Sequence, residues 1–134
     1  MTKFVPTICP YCGAGCGILL IVKDGTVVGT RPWSEHPISL GKLCIKGWNA
    51  HEFIHHEDRL KKPLIREGDS FKEASWEQAT EYVAEKLGEI RDKNGPDSLA
   101  FLSSAKCTNE ENYLMQKLTR AVVGTNNIDH CARL

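Results

Sequence analysis

Apolar and polar positions follow two different rhythms along the chain. Residues 3–8 and 17–22 are short β-rich runs, and Asp24-Gly25 is the dipeptide of a tight hairpin that returns through residues 26–31. A weaker hairpin is expected from 64–66 and 71–73 around Glu67-Gly68-Asp69. From residue 75 the period becomes helical. Ser75 and Gln78 form a capping box, Trp76, Ala79, Val83, Leu87 and Ile90 recur at helical spacing, and Asn94-Gly95-Pro96 stops the run. Residues 98–102 read as a buried strand. Thr108 with Glu111 is a second capping box, opening a helix with Leu114, Leu118, Ala121 and Val122 on its apolar face and Gly124 at its end. The pattern predicts an α+β chain: a small, Cys-rich domain of short strands over residues 1–60, then over 61–134 the beginning of an α/β layer.

Composition narrows the class. With 134 residues, 41% hydrophobic and 25% charged, the chain is an ordinary folded one, too short for two large domains. Its formal net charge is zero and its basic residues form no long run, which gives no reason to expect a nucleic-acid partner. No apolar stretch approaches the roughly 18 residues of a membrane span. The N-terminal residues lack the apolar region of an export signal, so the expected location is cytoplasmic. Six cysteines in such a setting favour metal or redox chemistry over disulfides.

Four of those cysteines define the chemistry. In CPYCGAGC, Cys9, Cys12 and Cys16 stand within eight residues, and Cys44 follows in GKLCIKG, giving C-x2-C-x3-C-x27-C. Residues 31–43, rich in Pro, Ser, His and Gly, would be the surface connection that brings Cys44 back to the other three. Four thiolates in one small volume repel each other unless a cation or an iron–sulfur core compensates them. Zinc ligands usually arrive as two close pairs, whereas three close and one distant is the ferredoxin-like distribution. Gly13, Gly15 and Gly17 suit a loop wrapped around a cluster. A [4Fe–4S] cube is therefore favoured, with a zinc-stabilised, non-redox binding module as the competing reading. Lys46 could favour the reduced cluster by its charge, although most lysines are simply solvated.

The segments CPYCGAGC, GKLCIKG and NEENYLMQKLTRAVVGTNNIDHCARL resemble the start of the catalytic subunit of formate dehydrogenases, in the molybdopterin oxidoreductase superfamily and of the methanogen type. The resemblance runs over essentially the whole chain. It implies that Cys9, Cys12, Cys16 and Cys44 hold the [4Fe–4S] cluster of an N-terminal cluster domain, and that Lys46 relays electrons between this cluster and a pterin. It implies that Ser103, Ser104 and Lys106, in a loop between a strand and a helix N-terminus, lie on the pterin side, where a helix start suits phosphate. The intact enzyme would carry molybdenum or tungsten on a bis-molybdopterin guanine dinucleotide and oxidise formate to carbon dioxide. Its electrons would pass to an iron–sulfur or deazaflavin-reducing subunit. Formylmethanofuran dehydrogenase and nitrate reductase are the alternatives within the superfamily.

The remaining candidates carry less. Cys107 is expected to be a small buried residue, His55 and His56 a surface pair, and His130 and Cys131 part of the approach to the family's active site. The resemblance also places the family's metal ligand, selenocysteine or cysteine, directly after the residue matching Leu134. A chain truncated at a selenocysteine codon read as stop is thus an expectation, with no formate oxidation by the 134 residues alone.

Overall fold

The computed structural model describes residues 1–131. The expectation attached to Leu134 therefore lies outside the described residues. The element order is β1 (Thr2–Ile8), β2 (Gly17–Lys23), β3 (Thr26–Pro32), α1 (Ile45–Trp48), β4 (Leu64–Glu67), β5 (Ser70–Glu73), α2 (Trp76–Asn94), β6 (Phe101–Ser104), α3 (Asn109–Lys117) and β7 (Ile128–Cys131). Each hairpin expected from the sequence is present. β1, β2 and β3 form an antiparallel sheet in that order, with Ile8 opposite Gly17 and Ile18 opposite Pro32. Asp24 and Gly25 both take positive φ, +50° and +84°, the backbone a two-residue hairpin turn requires.

Two compact units divide the chain. Among the described residues, the first comprises 1–59, 102–115 and 130–131; the second comprises 60–101 and 116–129. In the first, Cys9, Ile18 and Ala50 are buried, and Tyr11, Cys16, Leu20 and Leu43 pack against them. Two of the cysteines thus belong to the small core itself. Of residues 31–43, expected to be a surface connection, 31 and 32 instead end β3, and the rest carry two buried polar side chains, His36 and Ser39. Their hydrogen bonds to each other and to Gly17 are the reason they tolerate burial.

In the second unit β4 pairs with β5, Leu64 opposite Glu73. α2 opens with the expected capping box: Ser75 Oγ accepts from the Gln78 N–H at 3.1 Å, and Gln78 Oε1 accepts from the Ser75 N–H at 2.9 Å. The helix ends at Gly95, φ +86°. Its apolar side is not covered by the described residues: Trp76, Val83 and Ile90 are all exposed.

Two elements differ from expectation in this part of the chain. Residues 96–98 form a 3₁₀ turn because Pro96 starts a helical turn readily, so the strand begins only at Phe101. α3 opens on the Thr108–Glu111 box but widens into a π turn over Leu118–Val123 before Gly124, in left-handed conformation, stops it. β7, which no pattern announced, pairs with β6. Asn127 Nδ2 donates to the Asp97 and Leu99 carbonyls, and Thr125 Oγ1 donates to Asp97 at 2.6 Å.

Removing the α2 cap tests this assignment. Ser75→Ala should lower stability by about 1 kcal/mol in urea unfolding followed by circular dichroism. An unchanged midpoint would mean that the cap does not support the helix.

Candidate metal centre

The thiol site is built at the ends of β1 and β2. The Cys9 N–H donates to the Cys16 carbonyl at 2.8 Å, closing residues 9–16 into a collar at the mouth of the sheet. Inside it Gly15 takes φ +63°, a conformation glycine adopts without strain. Asn109 ties the collar down by donating from Nδ2 to the Gly13 carbonyl at 2.8 Å. A Cβ on Gly13 would lie 2.8 Å from Asn109 Oδ1 and would push that amide aside.

Cys44 comes from the other side. It is the residue before α1, in extended conformation, and Leu43 beside it packs into the core. All six cysteines are free thiols. Cys9, Cys12, Cys16 and Cys44 line one cavity of about 130 Å³, together with Lys46 and Lys106. The expected ligand set is therefore gathered around a single space, with two ammonium groups on its wall.

The thiols differ in character. Burial pushes the Cys9 thiol up; the Tyr11 amide pulls it partly back, and negative charge at Cys16, Cys12 and Cys44 pushes it up again. Cys44 is held below the ordinary thiol range, first by the Gly47 and Lys46 amides that point toward its sulfur and further by the Lys46 ammonium. The sulfur does not reach the geometry of a formal capping bond. Cys9 is thus raised first by its burial and only secondarily by the neighbouring thiols. Among the described residues no three His, Cys, Asp or Glu side chains are drawn together tightly enough for one metal ion. A tetrahedral zinc, with bonds of about 2.3 Å, requires its sulfurs within about 4 Å of each other.

Lys46 has a second outlook. It also lines an open cavity of about 450 Å³ with Tyr11, Ile45, Asn49, Phe53 and His56. One lysine thus borders both spaces. No pattern in the sequence announced the second cavity, because its walls come from α1, a four-residue helix too short to show periodicity, and from the turns after it.

The other candidates are placed as follows. Ser103 Oγ donates to Asn112, and Asn112 also donates to the Ser104 carbonyl at 3.1 Å. Ser104 Oγ accepts from the Lys106 N–H at 3.0 Å and lies 3.4 Å from the Cys131 sulfur. Both serine hydroxyls thus serve the strand-to-helix turn itself, while the Lys106 side chain reaches the thiol cavity. Cys107 is half-buried and Cys131 exposed. The Ser104 hydroxyl, the Ala105 amide and the Lys106 charge hold the Cys131 thiol low. His55 accepts from the Val27 N–H at 3.0 Å, anchoring its turn to β3, and His56 pairs with Asp58 at 3.7 Å; both are surface contacts.

Comparison with known proteins agrees with this geometry. Residues 2–56 match the molybdopterin oxidoreductase Fe4S4 domain, and residues 59–134 match the molybdopterin oxidoreductase family. The chain belongs to the molybdopterin oxidoreductase family. The four thiols accordingly fall within a segment of Fe4S4-domain type, and the helix–strand–helix segment falls within the molybdopterin oxidoreductase match.

Among curated relatives the chain is 56% identical to the F420-dependent formate dehydrogenase 1 subunit alpha of Methanococcus maripaludis, over 98% of this chain and 19% of that one. It is 54% identical to the F420-dependent formate dehydrogenase subunit alpha of Methanocaldococcus jannaschii, again over 98% and 19%. The chain spans about a fifth of the length of these relatives. Among solved structures it superposes on acetylene hydratase from Pelobacter acetylenicus with a TM-score of 0.70 and 29% identity, covering 93% of this chain and 18% of that one. A fold shared with an enzyme named as a hydratase leaves the reaction to be argued from the site.

The thiol environments give a direct check. In the metal-free chain near neutral pH, limiting iodoacetamide should alkylate Cys44 well before Cys9, because Cys44 is exposed with a lowered thiol and Cys9 is buried with a raised one. Peptide mass spectrometry reads the order. Equal or reversed labelling would contradict the assigned environments.

Proposed function

We propose that this chain is the cluster-bearing N-terminal portion of a formate dehydrogenase catalytic subunit, and that Cys9, Cys12, Cys16 and Cys44 are the ligands of a [4Fe–4S] cluster. The observation that carries the reading is the convergence of these four free thiols on one cavity. On this reading residues 1–60 are the cluster domain and 61–134 the beginning of the pterin-binding domain. The identity with methanogen formate dehydrogenase subunits supports the substrate.

The residues divide the work. Four thiolates bind the cluster and exclude water from its buried side, where Cys9 lies in the core. Bound there, the cluster supplies one-electron redox chemistry at a potential set by ligation, hydrogen bonds to sulfur and burial. Lys46, at the border of both cavities, supplies a positive charge beside the cluster and a bridge toward the pterin side. Lys106 adds a second positive charge on the thiol cavity wall. Ser103 and Ser104 hold the turn that presents it.

In the whole enzyme a molybdenum or tungsten bis-pterin centre supplies the oxidation of formate to carbon dioxide, a proton and two electrons. Lys46 would stand between that centre and the cluster, and an iron–sulfur or deazaflavin-reducing partner subunit would accept the electrons. A reducing, cytoplasmic setting suits six free thiols. Among the described residues no helix is long and apolar enough to cross a membrane.

Anaerobic reconstitution with iron and sulfide tests the proposal. The chain should take up about four irons with inorganic sulfide, turn brown, and give an electron paramagnetic resonance signal on reduction. A colourless protein holding one zinc and refusing iron would overturn it.

A further inference from the structure

Cys9, Cys12 and Cys16 share the collar closed by the Cys9–Cys16 backbone bond, but Cys44 belongs to a separate segment. Its position depends on residues 33–43, and that segment is built around two buried polar side chains. His36 is 7% exposed and Ser39 is 8% exposed. The N–H of Gly17, the residue directly after Cys16, donates to Ser39 Oγ at 3.1 Å. The Ser39 N–H donates to His36 Nδ1 at 3.3 Å, and Ser39 Oγ lies 3.3 Å from the same nitrogen. Because Nδ1 accepts the Ser39 N–H, it is an acceptor, the ring proton sits on Nε2 and the Ser39 hydroxyl donates its own proton to Nδ1.

The packing around this network is just as close. A Cβ on Gly17 would lie 2.3 Å from His36 Cγ, so the imidazole rests directly on the glycine backbone. Trp33 flanks the imidazole with ring centroids 5.3 Å apart, and the Trp33 N–H donates to the Gly17 carbonyl at 3.2 Å. Downstream, the Leu40 N–H donates to the His36 carbonyl and the Lys42 N–H to the Ser39 carbonyl, with Leu40 and Gly41 at positive φ. This tight turn delivers Leu43 to the core and Cys44 to the cavity.

We infer that His36 and Ser39 are positioning residues that pin the Cys44 segment to the backbone at Cys16, and so fix the fourth thiolate against the corner of the cluster that it ligates. The inference rests on the cluster assignment above. Neither side chain touches the cluster; both act through Gly17 and the turn before Cys44. Loosening the pin leaves the three-cysteine collar intact and slackens one corner only. The iron at that corner is then the one released on oxidation.

The test uses the 134-residue chain reconstituted anaerobically and titrated with ferricyanide. The oxidant takes one electron from the [4Fe–4S]²⁺ cluster, one Fe²⁺ dissociates, and a [3Fe–4S]⁺ cluster remains on Cys9, Cys12 and Cys16. Released iron and the electron paramagnetic resonance signal of the three-iron form are read together. Ser39→Ala, which removes a single oxygen, should convert about threefold more cluster than wild type at the same dose, the scale of one net hydrogen bond. Gly17→Ala, which displaces the His36 ring, should do the same, and the exposed Ser34→Ala should match wild type. Variants that keep their fourth iron as well as wild type, or lose fold and cluster together without a three-iron form, overturn the inference. A wild-type chain that takes up no four-iron cluster overturns the assignment beneath it, and the inference with it.

Discussion

Repulsion among four thiolates is the constraint on which the first unit is organised. Left bare, the set opposes its own assembly; the Cys9 thiol, raised first by burial, is raised further by the other three. The protein offsets this in two ways. Ammonium groups from Lys46 and Lys106 stand on the cavity wall, and backbone amides of Tyr11, Lys46 and Gly47 point at sulfur. Neither device neutralises four negative charges. A positive inorganic core completes the balance, so binding it contributes to folding as well as to function. That coupling explains how a unit with so few buried apolar residues holds a defined geometry. Its core consists of Cys9, Ile18 and Ala50 with four partly buried neighbours, and two of those seven are cysteines of the proposed ligand set.

Much of this was legible because the relevant signals are local. Asp24-Gly25, the two capping boxes and the glycines of the collar each act within four residues, and the structure shows each of them. The spacing of the thiols was legible for a similar reason, since three of them share one loop. The return of Cys44 could be expected only in outline. What holds it is a bond from Gly17 to Ser39, 22 residues apart, and nothing in the composition of residues 33–43 distinguishes a buried serine from an exposed one. Length hid α1, and pairing hid β7, a four-residue strand whose formation depends on β6 being beside it. Pro96 displaced the start of β6 because a proline-led turn satisfied the backbone first.

The second unit shows a different economy. Its fixed points are polar: Asp97 accepts from Thr125, Asn127 donates to the carbonyls of Asp97 and Leu99, and Thr119 is fully buried. These bonds join residues 96–99 to 125–127 although the chain travels through β6 and α3 between them. Meanwhile the apolar face that made α2 recognisable stays exposed. Periodicity thus located the helix, while its apolar face is exposed among the described residues. Since the chain spans about a fifth of its relatives' length, a face of that kind is what a segment of a larger layered fold should carry.

The asymmetry of the ligand set bears on how such a site can work. Cys9 is buried and its thiol is raised; Cys44 is exposed, lowered, and adjacent to the lysine that borders the larger cavity. On the proposed ligation, one thiol of the set is shielded from water, and another is surrounded with amides and positive charge. Negative charge on the cluster is stabilised most on the Cys44 side, because hydrogen bonds and an ammonium act there at short range. An electron moving between the cluster and a neighbouring centre gains most from that side. Placing the fourth ligand on a separately anchored segment lets the same residues that complete the cluster also orient Lys46. Backbone geometry at Cys44 thereby governs both ligation and charge, which is why two buried polar side chains are spent on holding the segment that leads to it.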